Sequence, residues 1–203
     1  MPSPTFTKVP NPEYMHLYTP QGLYKGCDQD WFPSFWQRKA GCGACTLGNI
    51  LMYLGKAGHA PALNAILDKN AMLRLMKESW GYATPGLMGL NNIHPFASGA
   101  AQALKDKGIP FACQTLEAPQ PLEDMAAFIQ QGLLYAPVAF LNLSRTQQGD
   151  MEPWHWMTVV ALEKAWGQYT LHLYDNGKAI TGDLTAWQHK NTAGGFVAFV
   201  PIT

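Results

Sequence analysis

The hydrophobic and polar positions divide the chain into a helix-rich part and a later strand-rich part. Before residue 136, apolar residues recur at helical spacing, which predicts helices over 44–55, 62–80, 96–107 and 121–132. After residue 136, short apolar runs predict β-strands over 138–143, 155–162, 169–174 and 196–200. A short β-like piece over 178–181 and one helical turn over 184–189 lie between the last two strands. The pattern predicts an α+β fold in which a helical lobe packs on an antiparallel sheet lobe.

The residues before the first predicted helix divide into an arm and a loop. Residues 1–26 contain five prolines, which predicts an extended, irregular arm. Residues 27–40 combine aromatic and polar side chains and predict a loop that leads into the first helix. We therefore expect one domain over 1–203, with the arm at 1–26, the helical lobe at 27–135 and the sheet lobe at 136–203.

The composition excludes several classes of partner. Lys and Arg together number 14, as do Asp and Glu, so the chain offers no basic surface for nucleic acid or an anionic membrane. No apolar run is long enough to span a bilayer, and the first residues lack the features of a signal peptide. We therefore expect a cytoplasmic protein, with export by a route without a cleaved signal left open. The four cysteines are then expected to be reduced thiols.

The strongest chemical signal is a cysteine between two glycines at the start of a predicted buried helix. Gly41-Cys42-Gly43 precedes an apolar stripe that ends at Gly55 and consists of Leu47, Ile50, Leu51 and Leu54. The positive end of a helix favours a thiolate over a thiol, so this position suits a nucleophile. Cys45 is the rival nucleophile, but it falls inside the first helical turn, where packing shields it. The glycines beside Cys42 leave open backbone for a substrate carbonyl.

A general base and its orienting partner are predicted in the sheet lobe. His155 opens one strand, and Asp175 ends the next strand along the chain. Adjacent antiparallel strands bring the end of one near the start of the other, so Asp175 can reach the second nitrogen of His155 and fix its tautomer. Asn176 follows directly and is the alternative orienting residue. The resulting order is cysteine, histidine, aspartate, as in a nucleophilic triad.

Two glutamines in the predicted loop are candidates for stabilising an oxyanion. Gln29 and Gln37 both precede the nucleophile. A glutamine amide beside the cysteine can donate to the developing oxyanion together with a backbone N–H at the helix start.

These residues together resemble the papain-like cysteine peptidases, and most closely the bacterial branch that cuts double-glycine bacteriocin leaders. The similarity around the nucleophile is carried by Cys42, Gly43, Leu47, Ile50 and Gly55. The similarity in the sheet lobe is carried by His155-Trp156, Val159-Val160 and Asp175. Relatives with a glutamine in a Gln-Asp-aromatic context resemble Gln29-Asp30-Trp31, which favours Gln29 over Gln37. The resemblance covers about residues 25–200 and departs from the branch at Trp36, where many members carry the glutamine.

The resemblance implies a papain-like fold with the site between the two lobes. It implies hydrolysis of a peptide or amide bond by a thiol, with a peptide or protein as substrate and with neither metal nor cofactor. The identity of the substrate stays open at this stage.

Three other interpretations are weaker. Cys42-Gly43-Ala44-Cys45 is a Cys-x-x-Cys motif of the kind found in thioredoxin-like oxidoreductases, but the segment before it, residues 28–33, is polar and ends in proline rather than forming an apolar strand. A zinc site built on Cys42, Cys45 and a histidine lacks a second ligand pair at suitable spacing. A catalytically inactive binding module on the same fold is the third alternative.

Overall fold

The chain forms six α-helices and nine strands within residues 4–190 and 192–202, the part described by this computed structural model. The helices are α1 (Phe35–Ala40), α2 (Cys42–Leu54), α3 (Lys69–Tyr82), α4 (Ile93–Asp106), α5 (Leu122–Leu133) and α6 (Leu184–His189). The strands are β1 (Thr5–Lys8), β2 (His16–Thr19), β3 (Gly22–Lys25), β4 (Phe111–Ala118), β5 (Val138–Asn142), β6 (His155–Ala165), β7 (Gln168–Asp175), β8 (Lys178–Asp183) and β9 (Gly194–Pro201). The predicted α+β class is confirmed.

One large antiparallel sheet organises the molecule. Its strands follow the order β4-β9-β5-β6-β7-β8, and β1 pairs with β6 beyond the end of β5. The two short strands β2 and β3 form a separate hairpin. Nearly every residue of β5 and of the first two thirds of β6 is buried, so helices cover both faces of the sheet. Ala139 and Thr158 form a cross-strand pair on the face that contacts α2, whereas Phe140 contacts Trp187 of α6 on the other face.

Helix α2 lies at the centre of the helical side of the molecule. All of its residues after Cys42 are buried, because the helix contacts the sheet, α3 and α4 at the same time. The helix ends at Gly55, where a Cβ atom would lie 2.4 Å from the Leu63 Cβ, so only glycine allows this close approach. Among the described residues, no helix is long and apolar enough to cross a membrane.

Two predictions for the helical part need correction. The predicted loop over 27–40 contains α1, which begins after Ser34, whose side-chain oxygen accepts a hydrogen bond from the backbone N–H of Gln37. The predicted helix over 62–80 begins only at Lys69, because Asp68 caps it and Pro61–Leu63 forms a separate 3₁₀ turn.

The predicted division into an arm, a helical lobe and a sheet lobe also differs from the structure. The arm contains β1, β2 and β3, and the predicted helical lobe contains β4. Both β1 and β4 join the large sheet, through β6 and β9 respectively. These strands pair with segments that lie more than 75 residues away in sequence, so local patterns did not reveal their partners.

Candidate active site

Cys42 is the first residue of α2 and lies at a tight junction between two helices. The carbonyl of Gly41 accepts a hydrogen bond from the Cys45 N–H at 2.9 Å, which closes the first turn of α2. A Cβ atom on Gly41 would lie 2.4 Å from the Gln37 carbonyl oxygen and 2.6 Å from the Phe32 ring. Glycine before the cysteine is therefore a steric requirement, since it lets α1 end directly against the start of α2. The Cys42 side chain stays partly exposed at this junction.

His155 and Asp175 form a buried pair next to Cys42. The two strands are antiparallel, with Thr158 opposite Tyr174, so the start of β6 lies beside the end of β7. His155 Nε2 donates to Asp175 Oδ1 at 2.8 Å, and the two side chains are only 8% and 12% exposed. The Cys42 thiol lies close enough to this imidazole to raise its pKa. Because Asp175 occupies Nε2, Nδ1 is the nitrogen left for the thiol.

The surroundings of His155 favour the imidazolium form. Burial alone lowers the pKa of His155, but the hydrogen bond to Asp175 and the contact with Cys42 together outweigh it. They hold the pKa of the imidazole well above its usual value of 6.5. A proton held in this way is available for transfer to a leaving group near neutral pH.

Cys45 has a different environment from Cys42. It is 7% exposed, and burial raises the pKa of its thiol well above the usual value, with a further contribution from the neighbouring Cys27 thiol. The Cys27 thiol also donates to the Cys45 carbonyl at 3.5 Å. A desolvated thiol of this kind is a poor nucleophile, so the structure favours Cys42 over Cys45. All four cysteines are free thiols.

The structure separates the two candidate glutamines. Gln29 lines a cavity together with His155, and its side-chain Nε2 donates to the Arg38 carbonyl at 2.6 Å. Its Oε1 is buried without a hydrogen-bond partner within the described residues. Gln37 instead accepts a hydrogen bond from the Ser34 hydroxyl at the start of α1, and the same hydroxyl accepts from the Gln37 backbone N–H. Gln29 is therefore the glutamine beside His155, and Gln37 has a structural role.

Asn176 lies near the site but does not orient the imidazole. It occupies the first central position of the two-residue turn between β7 and β8, with φ of 44°, and Gly177 follows with φ of 73°. Positive φ at both central positions is typical of a type I′ hairpin turn. The Asn176 side-chain carbonyl accepts a hydrogen bond from the Gln29 backbone N–H at 3.2 Å. The alternative role for Asn176 as the partner of His155 is thus not what the structure shows.

Two cavities of different character flank the Cys42–His155 pair. The first, about 230 Å³, contacts Cys42 and is walled mainly by apolar residues: Trp36, Ala40, Met88, Leu90, Leu143 and Trp154. The second, about 500 Å³, contacts His155 and contains three carboxylates and three cations, namely Asp28, Asp30, Glu152, Arg38, Lys39 and Lys178. Trp154 and Lys39 line both cavities. Trp154 is half exposed and has φ of 55°, which is rare for a bulky residue.

Three buried polar or aromatic residues support the site and were not predicted. Asn49 of α2 donates to Thr158 of β6 at 3.2 Å and accepts from the Cys27 backbone N–H at 2.9 Å, which fixes α2 against the sheet. Asn142 donates to the Glu152 carbonyl at 2.7 Å and so holds the loop that precedes His155. Trp156 donates to the Leu90 carbonyl at 2.6 Å, beside the apolar cavity. A polar residue within an apolar stripe, as at Asn49, is a signal that could have revealed the first of these.

The geometry around the Cys-x-x-Cys motif weighs against a thioredoxin-like site. The segment before the motif is the helix α1 rather than a strand, and the second cysteine is buried. Across the described ranges 4–190 and 192–202, no three His, Cys, Asp or Glu side chains cluster in a way that could hold a metal ion. The other five histidines contact neither cavity beside Cys42.

Comparisons of this chain with family models, with curated proteins and with solved structures found no match. Its function must therefore be inferred from the chemistry of the site.

Proposed function

We propose that this protein is a cysteine hydrolase with a papain-like fold that cleaves a peptide or amide bond. One observation carries the proposal: the buried His155 imidazole is hydrogen-bonded to the Asp175 carboxylate and lies near the Cys42 thiol, which is at a helix start. A nucleophile, a base and an orienting group in contact are the elements that nucleophilic acyl transfer requires.

In the first half of the reaction, the Cys42 thiolate attacks the carbonyl carbon of the substrate. The resulting tetrahedral intermediate carries its negative charge on the former carbonyl oxygen. Collapse of the intermediate breaks the carbon–nitrogen bond while the His155 imidazolium gives its proton to the departing amine. The product on the enzyme is a thioester at Cys42.

In the second half, water attacks the thioester carbonyl. The now neutral His155 accepts a proton from that water, and the carbon–sulfur bond breaks to release the acid product and the thiolate. Asp175 keeps the same imidazole nitrogen protonated in both halves, so Nδ1 stays directed at the reacting atoms. Each cycle consumes one water and needs neither an oxidant nor a reductant.

Gln29 and the start of α2 are the candidates for stabilising the oxyanion. The first backbone N–H groups of a helix have no partner within the helix, and at α2 they lie next to Cys42. The side-chain amide of Gln29 uses one N–H on the Arg38 carbonyl, which leaves the second N–H for the substrate oxygen. Donors fixed in advance are worth most in such a site because they need not reorganise during the reaction.

The cavities indicate what kind of substrate the cleft takes. A bulky apolar side chain on one side of the scissile bond would fill the space between Trp36, Met88 and Trp154. A polar or charged group on the other side would meet the mixed charges near His155. We therefore propose peptides, or amide-linked peptide segments, with this asymmetry as substrates.

A direct test combines labelling with turnover. Limiting iodoacetamide near neutral pH, followed by peptide mass mapping, should modify Cys42 first. A library of fluorogenic peptides with varied residues around the scissile bond should then be cleaved by the wild-type chain and not by Cys42→Ala. Equal, slow labelling of all four cysteines together with no turnover of any peptide would overturn the proposal and favour an inactive binding module.

A further inference from the structure

The turn between β7 and β8 contacts two parts of the site that are far apart in sequence. Asp175, which holds His155, and Asn176, which contacts Gln29, are consecutive residues. Gln29 lies 147 residues earlier in the chain. One rigid turn therefore touches both the base and the candidate oxyanion donor.

The segment before Gln29 is tied to this turn by backbone hydrogen bonds as well. The Gly177 N–H donates to the Cys27 carbonyl at 2.9 Å, and the Lys25 N–H donates to the Gly177 carbonyl at 2.8 Å. A Cβ atom on Gly177 would lie 2.2 Å from the Tyr24 ring, so the two segments approach as closely as glycine allows. These contacts do not involve the Asn176 side chain, so we expect them to persist when that side chain is changed.

The Asn176 side chain adds the contact that reaches Gln29 itself. Gln29 begins a 3₁₀ turn, so its backbone N–H has no acceptor within that turn, and the Asn176 carbonyl supplies one at 3.2 Å. At the other end of the residue, the Gln29 amide is held by the Arg38 carbonyl. Gln29 is thus fixed at its backbone by Asn176 and at its side chain by α1.

We propose that Asn176 is a positioning residue that holds Gln29 in a fixed place relative to Asp175 and His155. The inference rests on the proposed hydrolase function and adds a role to it. The Asn176 side chain contacts Gln29 rather than the imidazole, so its effect on the reaction runs through Gln29. Small displacements of a catalytic group can cost about 10²-fold in rate, so a modest loss of alignment has a measurable effect.

The turn offers a matched pair of variants. Asn176→Gly keeps the positive φ at no steric cost but removes the acceptor, and Asn176→Asp tolerates the same backbone conformation and keeps an acceptor oxygen. We expect Asn176→Gly to lower kcat about 10-fold with little change in KM, and Asn176→Asp to keep kcat within about 2-fold of wild type. In a Gln29→Ala background, Asn176→Gly should have almost no further effect, because the residue it positions is gone.

Two reagents separate oxyanion stabilisation from the reactivity of the thiol. A leucine-rich tripeptide aldehyde forms a tetrahedral adduct with Cys42 whose oxygen needs the oxyanion donors, whereas alkylation by iodoacetamide does not. We expect Asn176→Gly to weaken aldehyde inhibition about 10-fold and to leave the alkylation rate and its pH dependence unchanged. Thermal unfolding confirms that the variant is folded, and Asn176→Ser, with a shorter side chain, replaces it if it is not.

Each outcome decides the question. If wild type is active and Asn176→Gly matches it in kcat and aldehyde binding, the inference fails while the proposed function stands. If Asn176→Gly slows alkylation or shifts its pH dependence, Asn176 acts on the imidazole and the inference is also wrong. Wild-type protein that neither cleaves any peptide nor binds the aldehyde overturns the proposed function, and the inference with it.

Discussion

The two halves of the candidate site are built in different ways. Cys42 is presented by a helix start, where Gly41 before it lets α1 end directly against the first turn of α2. His155 and Asp175 come from two strands, and their contact depends on the register of the β6–β7 pair. The position of the nucleophile at the end of an element is therefore set locally, whereas the contact between base and orienting group depends on the pairing of two strands.

The difference predicts how each half responds to mutation. A change at the helix start alters one group and leaves the sheet intact. A change at the His155–Asp175 pair alters a buried, hydrogen-bonded unit and affects both reactivity and the pH dependence of stability. The variants below separate these two kinds of dependence, beginning with the largest expected effect.

Removing the nucleophile should have the largest effect. We expect Cys42→Ala to lower kcat/KM by about 10⁴-fold or more, because no other group can form the covalent intermediate. Cys45→Ala is the matched control on the same helix turn: it should keep activity within a few-fold and lower the free energy of unfolding by about 1 kcal/mol. Peptide hydrolysis measures the activity of both variants, and urea unfolding measures their stability. Loss of activity in Cys45→Ala with retention in Cys42→Ala would reverse the assignment.

Breaking the buried pair should come next. Asp175→Asn removes the carboxylate that raises the pKa of His155, and we expect kcat to fall by about 10²–10⁴-fold. On the alkaline side of the pH–rate profile, the residual activity should begin to fall at a lower pH than the activity of wild type. The reason is that the His155 imidazolium loses its proton more easily without the carboxylate. A pH–rate profile of both proteins measures this shift. Full activity in Asp175→Asn would show that Asp175 has no catalytic role.

The same pair predicts the sign of a pH effect on stability. The folded-state pKa of His155 lies above the value of 6.5 expected when the chain is unfolded, so the folded state binds this proton more tightly. Its contribution to stability is fully present below about pH 6.5 and is lost as the pH rises through the folded-state pKa. Urea unfolding at several pH values should therefore show a steeper alkaline decline for wild type than for Asp175→Asn.

Substitution of the two glutamines should have a smaller effect on activity than substitution of Cys42 or Asp175. Gln29→Ala should lower kcat by about 10²–10³-fold, as expected for the loss of one oxyanion donor, with the fold unchanged. Gln37→Ala should leave kcat nearly unchanged and lower the free energy of unfolding by about 0.5 kcal/mol through loss of the hydrogen bond from the Ser34 hydroxyl. Steady-state kinetics and thermal unfolding of both variants test this. The opposite pattern would make Gln37 the donor.

The smallest expected effect concerns substrate choice. Trp36→Ala and Trp154→Ala each remove one wall of the apolar cavity. We expect each substitution to lower kcat/KM about 10-fold for peptides with a bulky apolar residue at this position. The kcat/KM for peptides with a small residue there should change much less. Competition between paired peptides gives the ratio directly. An equal loss for both kinds of peptide would mean that the cavity does not select side chains.

The parts of the fold that were predictable have local signals. The apolar stripe of α2 and the strands β6 and β7 with the turn at Asn176-Gly177 all follow from periodicity and turn residues. Helix α1 was missed because Phe35 and Trp36 are exposed and form no apolar stripe. Its one signal was the pair Ser34 and Gln37 at capping-box spacing.

The site could be predicted only in part for a related reason. Cys42, His155 and Asp175 are marked by their places at element ends, and the structure brings all three together. The choice between Gln29 and Gln37, and the contacts of Asn49 and Asn176, depend on which loop meets which turn. Such long-range hydrogen bonds leave no periodic trace in a single sequence.

The pairing of β1 with β6 has a consequence for a strand edge that would otherwise be open. Thr5–Lys8 covers the edge of β6 over Ala161–Lys164, and the Val9 N–H bonds to the Val160 carbonyl at 2.9 Å. Without this short strand, a row of backbone donors and acceptors beside a buried apolar surface would be open to a strand from a neighbouring molecule. The first strand therefore keeps this edge of β6 paired, and we expect a chain shortened there to self-associate through the exposed edge.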